Sequence, residues 1–288
     1  MWGCVRPSDL KPWLAALVLT GAAALSAPAG ADPRPQRVVS INLCTDQLAL
    51  MLADPGQLIS VSKLARDPSS SSMADRAQAY PTNGSGAEEV YLLKPDLVLG
   101  GTFTSPATVS MLENLGIRVE LFAPARSLAD VTKRLEQMGK ALGQEDKATE
   151  MIATFETDLA ALSTAPTHRP RAALYYVNSY SVGDRTLAGD ILRAGGFDNV
   201  AVEAGLSQGG TLALEQLVLL DPDVIIEGRD YPGQARAEEV LHHPALHALT
   251  GTRVAGTVTD RDWICGTPLV LSAVRNIRDL RLSLEAVQ

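Results

Sequence analysis

One twelve-residue pattern occurs twice, at residues 88–99 and 215–226, and it constrains the fold more than any other feature. Each copy begins with a glutamate, continues through an apolar helical turn into Leu-Leu-x-Pro-Asp, and ends in a short apolar run. Pro95 and Pro222 predict the ends of two helices, because the residue before a proline is displaced from the α-helical region. The apolar runs predict strands buried on both faces, which is typical of parallel sheets. A helix–Pro-Asp–strand unit used twice predicts two similar α/β lobes.

Length and composition are compatible with two lobes of moderate size. The 288 residues are 46% apolar and 20% charged, as in globular, soluble proteins. The formal net charge of -8 argues against a nucleic-acid-binding protein, which would need clusters of Lys and Arg.

Residues 1–31 have the pattern of a secretory signal peptide. Arg6 and Lys11 make a basic start, an apolar stretch follows, and Ala29-Gly30-Ala31 is typical of a cleavage site. We therefore expect an exported chain that is cleaved near Ala31. An uncleaved N-terminal anchor is the alternative.

Removal of this segment leaves Cys44 and Cys265 as the remaining cysteines. In an oxidising compartment an even number of cysteines usually means a disulfide. We therefore predict a Cys44–Cys265 bridge, which would tie the start of the first lobe to the end of the second. Two unpaired, buried thiols are the alternative.

The longest regular helical pattern, residues 145–162, lies between the two copies of the repeat. Its apolar residues fall on one stripe, and it contains neither Gly nor Pro. At 1.5 Å per residue it would be about 27 Å long. We therefore expect a first lobe at residues 32–144, a linking helix at 145–165 and a second lobe at 166–288.

The start of the first lobe also carries local signals. Thr45 or Asp46 is predicted to cap a helix at residues 47–53. Residues 66–86 are polar and without periodicity, which predicts a loop. A loop of that length inside a compact domain is usually functional or mobile.

With these elements in place, the chain resembles the substrate-binding proteins of ABC importers. The branch it resembles carries metal chelates, namely ferric siderophores, haem and cobalamin. The resemblance covers residues 32–288 and rests on Arg37-Val-Val-Ser-Ile41, the two Glu…Leu-x-Pro-Asp blocks, Leu115-Gly-Ile-Arg-Val119, and Asp262-Trp263 before the last helix.

This resemblance implies a periplasmic protein with two Rossmann-like α/β lobes joined by a single long α-helix. The ligand would lie in the cleft between the lobes, which would close modestly on binding. The partners implied are the permease subunits at the inner membrane and a small-molecule chelate of iron or cobalt. The resemblance also implies a monomer that carries the chelate as cargo and has no resident cofactor.

Glu88 and Glu215 occupy the same place in the two repeats. In the family, one acidic residue per lobe docks onto arginines of the permease, and these two glutamates match that pattern. The alternative is a local role, because Ser85-x-x-Glu88 has the sequence of a capping box and an acid in a first helical turn favours the helix dipole.

Ligand contacts are expected in the loops that follow the strands, because ligands of open α/β sheets bind at the carboxyl ends of strands. The candidates are Asn42, Cys44, Thr45, Tyr80, Phe103, Tyr176, Asn178, Arg229, Tyr231 and Trp263. Half of them are aromatic, which suits a planar or macrocyclic chelate. Arg229 would pair with an anionic group of the ligand. For each aromatic residue, core packing is the alternative.

No site for a bare metal ion is predicted, since the four histidines lack ligand spacing: His168, His242, His243 and His247. A chelated metal is therefore preferred. The alternative function is an exported enzyme of two Rossmann-like lobes, of the transferase type, but no phosphate-binding glycine motif or G-x-S-x-G motif is present. A structural or sensory domain with the same fold is a third possibility.

Overall fold

The computed structural model describes residues 2–3, 34–163, 166–228, 239–247, 249, 253–258 and 260–286. The chain divides into two compact units, Met1–Pro33 and Arg34–Gln288, and the second unit is described below. The predicted cleavage site near Ala31 lies outside the described residues, as do Arg229 and Tyr231. Among the helices that are described, none combines the length and the apolar character that a bilayer span requires.

The first lobe contains a five-stranded parallel sheet in the order β3-β2-β1-β4-β5. Its strands are Val38–Ser40 (β1), Leu58–Ser62 (β2), Thr82–Asn83 (β3), Leu97–Gly101 (β4) and Arg118–Phe122 (β5). Its helices are Leu43–Leu52 (α1), Ala74–Ala77 (α2), Ala87–Leu92 (α3), Pro106–Asn114 (α4) and Leu128–Leu142 (α5). β1 and β4 are fully buried, as their continuous apolar runs predict.

The linking helix is observed at Glu145–Leu162 (α6), with the predicted bounds. It follows α5 closely, because Gly143 adopts a left-handed conformation (φ 66°) that ends α5. Ala148, Phe155 and Leu162 of α6 are buried in the main hydrophobic core. The linking helix expected between the two sheets is therefore present.

The second lobe contains a six-stranded mixed sheet in the order β11-β10-β6-β7-β9, with β8 paired to β6. Its strands are Arg171–Tyr176 (β6), Tyr180–Ser181 (β7), Asp198–Asn199 (β8), Gly210–Thr211 (β9), Val224–Gly228 (β10) and Arg253–Val258 (β11). Its helices are Leu187–Ala194 (α7), Val200–Glu203 (α8), Leu214–Leu220 (α9), Pro244–His247 (α10) and Val270–Glu285 (α11). β10 is parallel to β6 and β11, whereas β7 is antiparallel to β6 and β9. The predicted class of two α/β lobes is confirmed, although the second sheet is mixed.

Both copies of the repeat are attached to the first strand of their own sheet in the same way. Asp96 accepts a hydrogen bond from the backbone N–H of Arg37 at 3.0 Å. Asp223 accepts the corresponding bond from the backbone N–H of Arg171 at 2.7 Å. The aspartate of each Pro-Asp pair therefore fixes the start of the neighbouring strand.

The same two arginines also close the ends of α3 and α9. Arg37 donates from Nε to the carbonyl of Lys94 at 2.9 Å, and Arg171 donates from Nη1 to the carbonyl of Asp221 at 2.9 Å. Lys94 and Asp221 are left-handed, with φ of 50° and 43°, rather than extended as is usual before proline. The helices end where the prolines predict, and the arginines satisfy carbonyls that the helices leave free.

The two copies also expose equivalent side chains. Leu92 and Leu219 are 77% and 84% exposed, and each lies four residues after its glutamate. Residues four apart share one face of a helix. Each lobe therefore presents a glutamate and a leucine on the same helix face.

The cap predicted for α1 is wrong. The helix begins at Leu43, and Asn42 caps it, since its Oδ1 accepts from the backbone N–H of Cys44 at 3.0 Å. Thr45 and Asp46 lie inside the helix and are fully buried. Asn42, Thr45 and Asp46 all have side chains that can cap a helix. Because Thr45 and Asp46 are buried within α1, Asn42 provides the cap.

The prediction of an irregular loop at residues 66–86 is also wrong in part. This segment contains α2 and β3, and β3 extends the sheet by pairing with β2. Elements of four and two residues are too short to produce a readable periodicity. Near the end of the chain, residues 239–242 form a turn, and α10 follows at Pro244–His247.

Candidate ligand-binding site

The order of the first sheet creates a switch point between β1 and β4. β2 and β3 lie on one side of this point, whereas β5 lies on the other. Connections after β1 and β4 therefore leave in opposite directions and open a crevice at the carboxyl ends of the strands, where ligands of α/β sheets bind. Asn42 follows β1, and Thr102 and Phe103 follow β4.

A cavity of about 170 Å³ lies at this crevice and is called the switch-point cavity below. It is lined by Asn42, Cys44, Thr45 and Leu48, by Gly101, Thr102 and Phe103, by residues 122–125, and by Arg134, Ile264 and Gly266. Pockets that enclose a whole drug-sized ligand measure roughly 300–1,000 Å³. The switch-point cavity therefore has the size of a site for one part of a larger ligand.

Asn42 and Thr45 both line the cavity and contact neighbouring groups inside the protein. Asn42 lies against Gly101, where a Cβ atom would come within 3.1 Å of its Nδ2. The hydroxyl of Thr45 donates to the carbonyl of Asn42 at 2.9 Å and lies 2.8 Å from the hydroxyl of Ser40. The Thr45 hydroxyl is therefore occupied by partners inside the protein.

One wall of the cavity comes from Ile264 and Gly266, in the segment that follows β11. Cys44 and Cys265 form a disulfide with a Cα–Cα distance of 5.1 Å, so the predicted bridge is confirmed. Gly266 packs so closely that an added Cβ would lie 2.1 Å from the Cβ of Ala125. The hydroxyl of Ser72 donates to the carbonyl of Arg261 at 2.6 Å. The cavity is therefore lined mainly by the first lobe and bordered on one side by the second.

Four other described candidates do not line the switch-point cavity: Tyr80, Tyr176, Asn178 and Trp263. Trp263 is 6% exposed and belongs to the main core. Tyr80 and Tyr176 are partly buried and pack against that core, so ligand contact by these three aromatics stays a prediction. Asn178 is exposed, in the turn between β6 and β7, with a left-handed φ of 57°.

Asp46 follows the cavity residue Thr45 in α1 and is fully buried. Its Oδ1 accepts from the backbone N–H of Ser62 at 3.0 Å, and its Oδ2 accepts from the Ser62 hydroxyl. Burial raises the pKa of Asp46, and hydrogen bonds from serines oppose this effect. Asp46 thus joins α1 to β2 and helps to position the helix that carries Asn42 and Cys44.

Several cavity residues were missed from the sequence. Thr102 and residues 123–125 follow β4 and β5, so the rule on carboxyl ends of strands would have found them if applied to every strand. Arg134 lies in the middle of α5, and nothing in a helical pattern distinguishes such an arginine from one that faces solvent. Within the described part of the chain, no cluster of three or more His, Cys, Asp or Glu side chains is arranged to hold a metal ion.

Glu88 does not cap its helix, so the capping-box alternative is wrong. The N-cap of α3 is Gly86, which makes no side-chain cap. Ser85 donates from its hydroxyl to the carbonyl of Ile41 at 2.9 Å. The acid that reaches back is Glu89, which accepts from the backbone N–H of Gly84 at 2.7 Å.

Glu88 and Glu215 are both exposed in the first turns of α3 and α9. In the ranges that the structure describes, neither forms an ion pair. Their interaction with the helix dipole remains favourable but small at an exposed position. The contacts of these two helices therefore leave both carboxylates available to a partner.

Two α/β lobes joined by one long helix, with a cavity at the carboxyl ends of the first sheet that residues of the second lobe help to close, are the architecture of a bilobal binding protein. Residues 38–255 match the family model described as "Periplasmic binding protein". The chain belongs to this family.

Comparisons with individual proteins agree with this assignment. The chain is 28% identical over 202 residues to the cobalamin-binding protein of Halobacterium salinarum, across 68% of this chain and 55% of that protein. It thus spans about half the length of this curated relative. It is 24% identical over 249 residues to an uncharacterised ABC transporter substrate-binding lipoprotein of Bacillus subtilis, across 76% of each. The periplasmic heme-binding protein of Vibrio cholerae has a similar fold, with a TM-score of 0.71 at 20% identity over 85% of this chain and 98% of that one.

Proposed function

We propose that this chain is a periplasmic solute-binding protein that carries a metal chelate to the permease of an ABC importer. The chelate is a ferric siderophore, haem or cobalamin. The observation that carries the proposal is the switch-point cavity, because it lies where α/β sheets bind ligands and has walls from both lobes. Relatives that bind cobalamin and heme support a chelate as the ligand.

The mouth of the cavity suits a ligand larger than the cavity itself. Phe103 is 85% exposed and Ile264 is 54% exposed, although both are apolar and line the cavity. Exposed apolar side chains beside a cavity commonly mark a binding surface. A planar or macrocyclic chelate would cover them while one of its substituents entered the cavity.

The two repeats supply the proposed permease contact. Glu88 and Glu215 are exposed at equivalent positions, and each is followed one turn later by an exposed leucine, Leu92 or Leu219. Carboxylates of this kind would pair with arginines of the permease and set the orientation and rate of association. The leucines would add apolar contact area at the same two points.

The remaining parts of the proposal rest on the sequence and on the resemblance it carries. The chain is exported by its N-terminal signal peptide and acts in the periplasm as a monomer. The iron or cobalt chelate is cargo rather than a cofactor. An exported transferase-type enzyme is not favoured, because the family consists of substrate-binding proteins for transport.

Fluorescence titration tests the ligand class. A chain that begins at residue 32 retains Trp263 as its single tryptophan, and Trp263 adjoins Ile264 of the cavity wall. At least one of haemin, cyanocobalamin and ferrichrome should quench its emission at micromolar concentration, with free N-acetyltryptophanamide as the control for light absorption. Quenching by zinc or manganese ions, and by none of the chelates, would contradict the proposal.

A pair of variants tests whether the switch-point cavity is the site. Phe103→Ala should weaken binding of the chelate that quenches Trp263. Leu64→Ala is the matched control, because Leu64 is 53% exposed but does not line the cavity. Equal affinity of the two variants would place the site elsewhere.

A further inference from the structure

We propose that Arg134 is the anion-binding residue of the switch-point cavity, so that the transported chelate carries an acidic substituent that enters it. This inference rests on the proposed function and adds to it the chemical class of the ligand. Neither the repeat nor the resemblance pointed to this residue.

Arg134 is the one charged residue that lines the switch-point cavity within the described part of the chain. It projects from the middle of α5, is half-buried, and lines the cavity together with Leu48 of α1 and Phe122 of β5. Arginine in the middle of a helix usually extends its guanidinium into water. Here the side chain instead contributes a positive charge to a largely apolar cavity.

The guanidinium of Arg134 is incompletely satisfied. Its Nε is buried without a hydrogen-bond partner. Its hydrogen bond within the described part of the chain runs from Nη1 to Oε1 of Gln137 at 2.7 Å, and no described carboxylate lies within 4.0 Å of it. A buried N–H without a partner costs free energy, so the guanidinium lacks a full set of partners inside the described part of the protein.

Gln137 lies between Arg134 and Glu120 in a chain of hydrogen bonds. The Nε2 of Gln137 donates to Oε1 of Glu120 at 2.7 Å and to the carbonyl of Leu121 at 3.0 Å. These bonds fix the amide so that its oxygen points to Arg134. The arginine is therefore held by a neutral group, and its charge is not paired directly with Glu120.

The cavity and the arginine together define what the ligand must offer. A guanidinium binds a carboxylate through two parallel hydrogen bonds, and it is less strongly hydrated than an ammonium group. About 170 Å³ accommodates a short acidic arm but not a complete chelate. The body of the ligand would then rest on Phe103 at the mouth while its acid reached Arg134.

Matched pairs of probes test this assignment. Each pair shares one scaffold and differs in an acid: haemin and its dimethyl ester, cyanocobalamin monocarboxylic acid and cyanocobalamin, and N-succinyl- and N-acetyl-ferrioxamine B. For the scaffold that binds, we expect the wild-type protein to prefer the acidic member about ten- to a hundredfold, as for a hydrogen bond to a charged group. The dissociation constants would be measured through Trp263 fluorescence.

Three variants test whether Arg134 causes the preference for the acidic member of a pair. Arg134→Gln should remove it, chiefly by weakening the acidic member, and Arg134→Lys should retain part of it. Lys140→Gln is the matched control, because Lys140 is exposed on the same helix and its replacement changes the net charge equally. Circular dichroism would establish that all three variants fold.

Two kinds of failure are distinguishable. Equal affinity of the wild-type protein for both members of a pair, or a preference that survives in Arg134→Gln, overturns the role of Arg134 and leaves the proposed function intact. Binding of none of the six probes contradicts the proposed function, and the role of Arg134 falls with it.

Discussion

Asp46 is a carboxylic acid with no exposed surface, and its hydrogen bonds to Ser62 hold α1 against β2. Because burial raises its pKa, the folded protein binds the Asp46 proton more tightly than the unfolded chain does. The contribution of Asp46 to the free energy of unfolding is therefore complete below the unfolded pKa of 3.8. It is lost as the pH rises through the raised pKa.

The first prediction concerns Asp46→Asn, which keeps the shape of the side chain and removes its titration. Over the pH interval between the two pKa values, the wild-type protein should lose stability relative to the variant by about 1.4 kcal/mol per pH unit. Urea unfolding of both proteins between about pH 3 and pH 8 would give this difference. A difference that does not change with pH would show that Asp46 titrates alike in the folded and unfolded states.

The roles of single residues were harder to predict from the sequence than the helices and strands or the two lobes. The sequence identified Asn42, Cys44 and Phe103, because they directly follow the carboxyl ends of strands, and the structure places all three at the cavity. It did not separate a core aromatic such as Trp263 from a cavity aromatic such as Phe103. An aromatic side chain favours apolar surroundings, and both a hydrophobic core and an apolar cleft provide them.

Elements were more predictable, especially the long ones. α6 was predicted with its bounds, since an uninterrupted apolar stripe of that length has few alternatives. The ends of α3 and α9 were also predicted, because Pro95 and Pro222 act locally. The short elements α2 and β3 were missed, because their formation depends on contacts with β2 and its neighbours rather than on their own sequence.

The second prediction concerns α3 and α9. Glu88→Gln and Glu215→Gln should each weaken association with the permease about two- to fivefold, as for loss of an exposed ion pair. The double variant should be weaker than either, because the contact has two points. Affinity for the chelate should not change. Binding of the permease in detergent or nanodiscs would be measured at low and physiological salt, since screening reduces the effect.

Glu89→Gln is the matched control for this experiment, because Glu89 lies beside Glu88 and makes the backbone hydrogen bond at the helix start. It should lower stability by about 0.5–1 kcal/mol and leave association with the permease unchanged. If the double variant of Glu88 and Glu215 associates normally at physiological salt, the docking role is contradicted.

At the scale of the whole molecule, two lobes were predictable because a repeated unit implies a repeated structure. The disulfide was predictable because two cysteines remain in the exported chain. Its place in the wall of the cavity was not, since that depends on how residues 261–266 pack against Ala125 and Ser72. Contacts between distant segments leave no periodic trace in either segment.

The third prediction concerns the disulfide, which joins positions 221 residues apart. Replacing both cysteines, as Cys44→Ser with Cys265→Ser, should lower the free energy of unfolding by up to about 5 kcal/mol on the chain-entropy model. Urea unfolding of the double variant and of the reduced wild-type protein should agree. Thiol counting on the unfolded, unreduced wild-type protein should find no free thiol, and two reactive thiols would contradict the bridge.

The disulfide also limits how the protein can admit its ligand. α6 joins the lobes near Met51 at the end of α1, where Met51 and Met151 border the same groove, and Cys44 provides a second joint seven residues earlier in α1, about 10 Å away. Two rigid bodies fastened at two points retain one rotation, about the line through those points. If the lobes move apart to admit a ligand, we therefore expect a rotation about this line rather than sliding or free twisting of one lobe past the other.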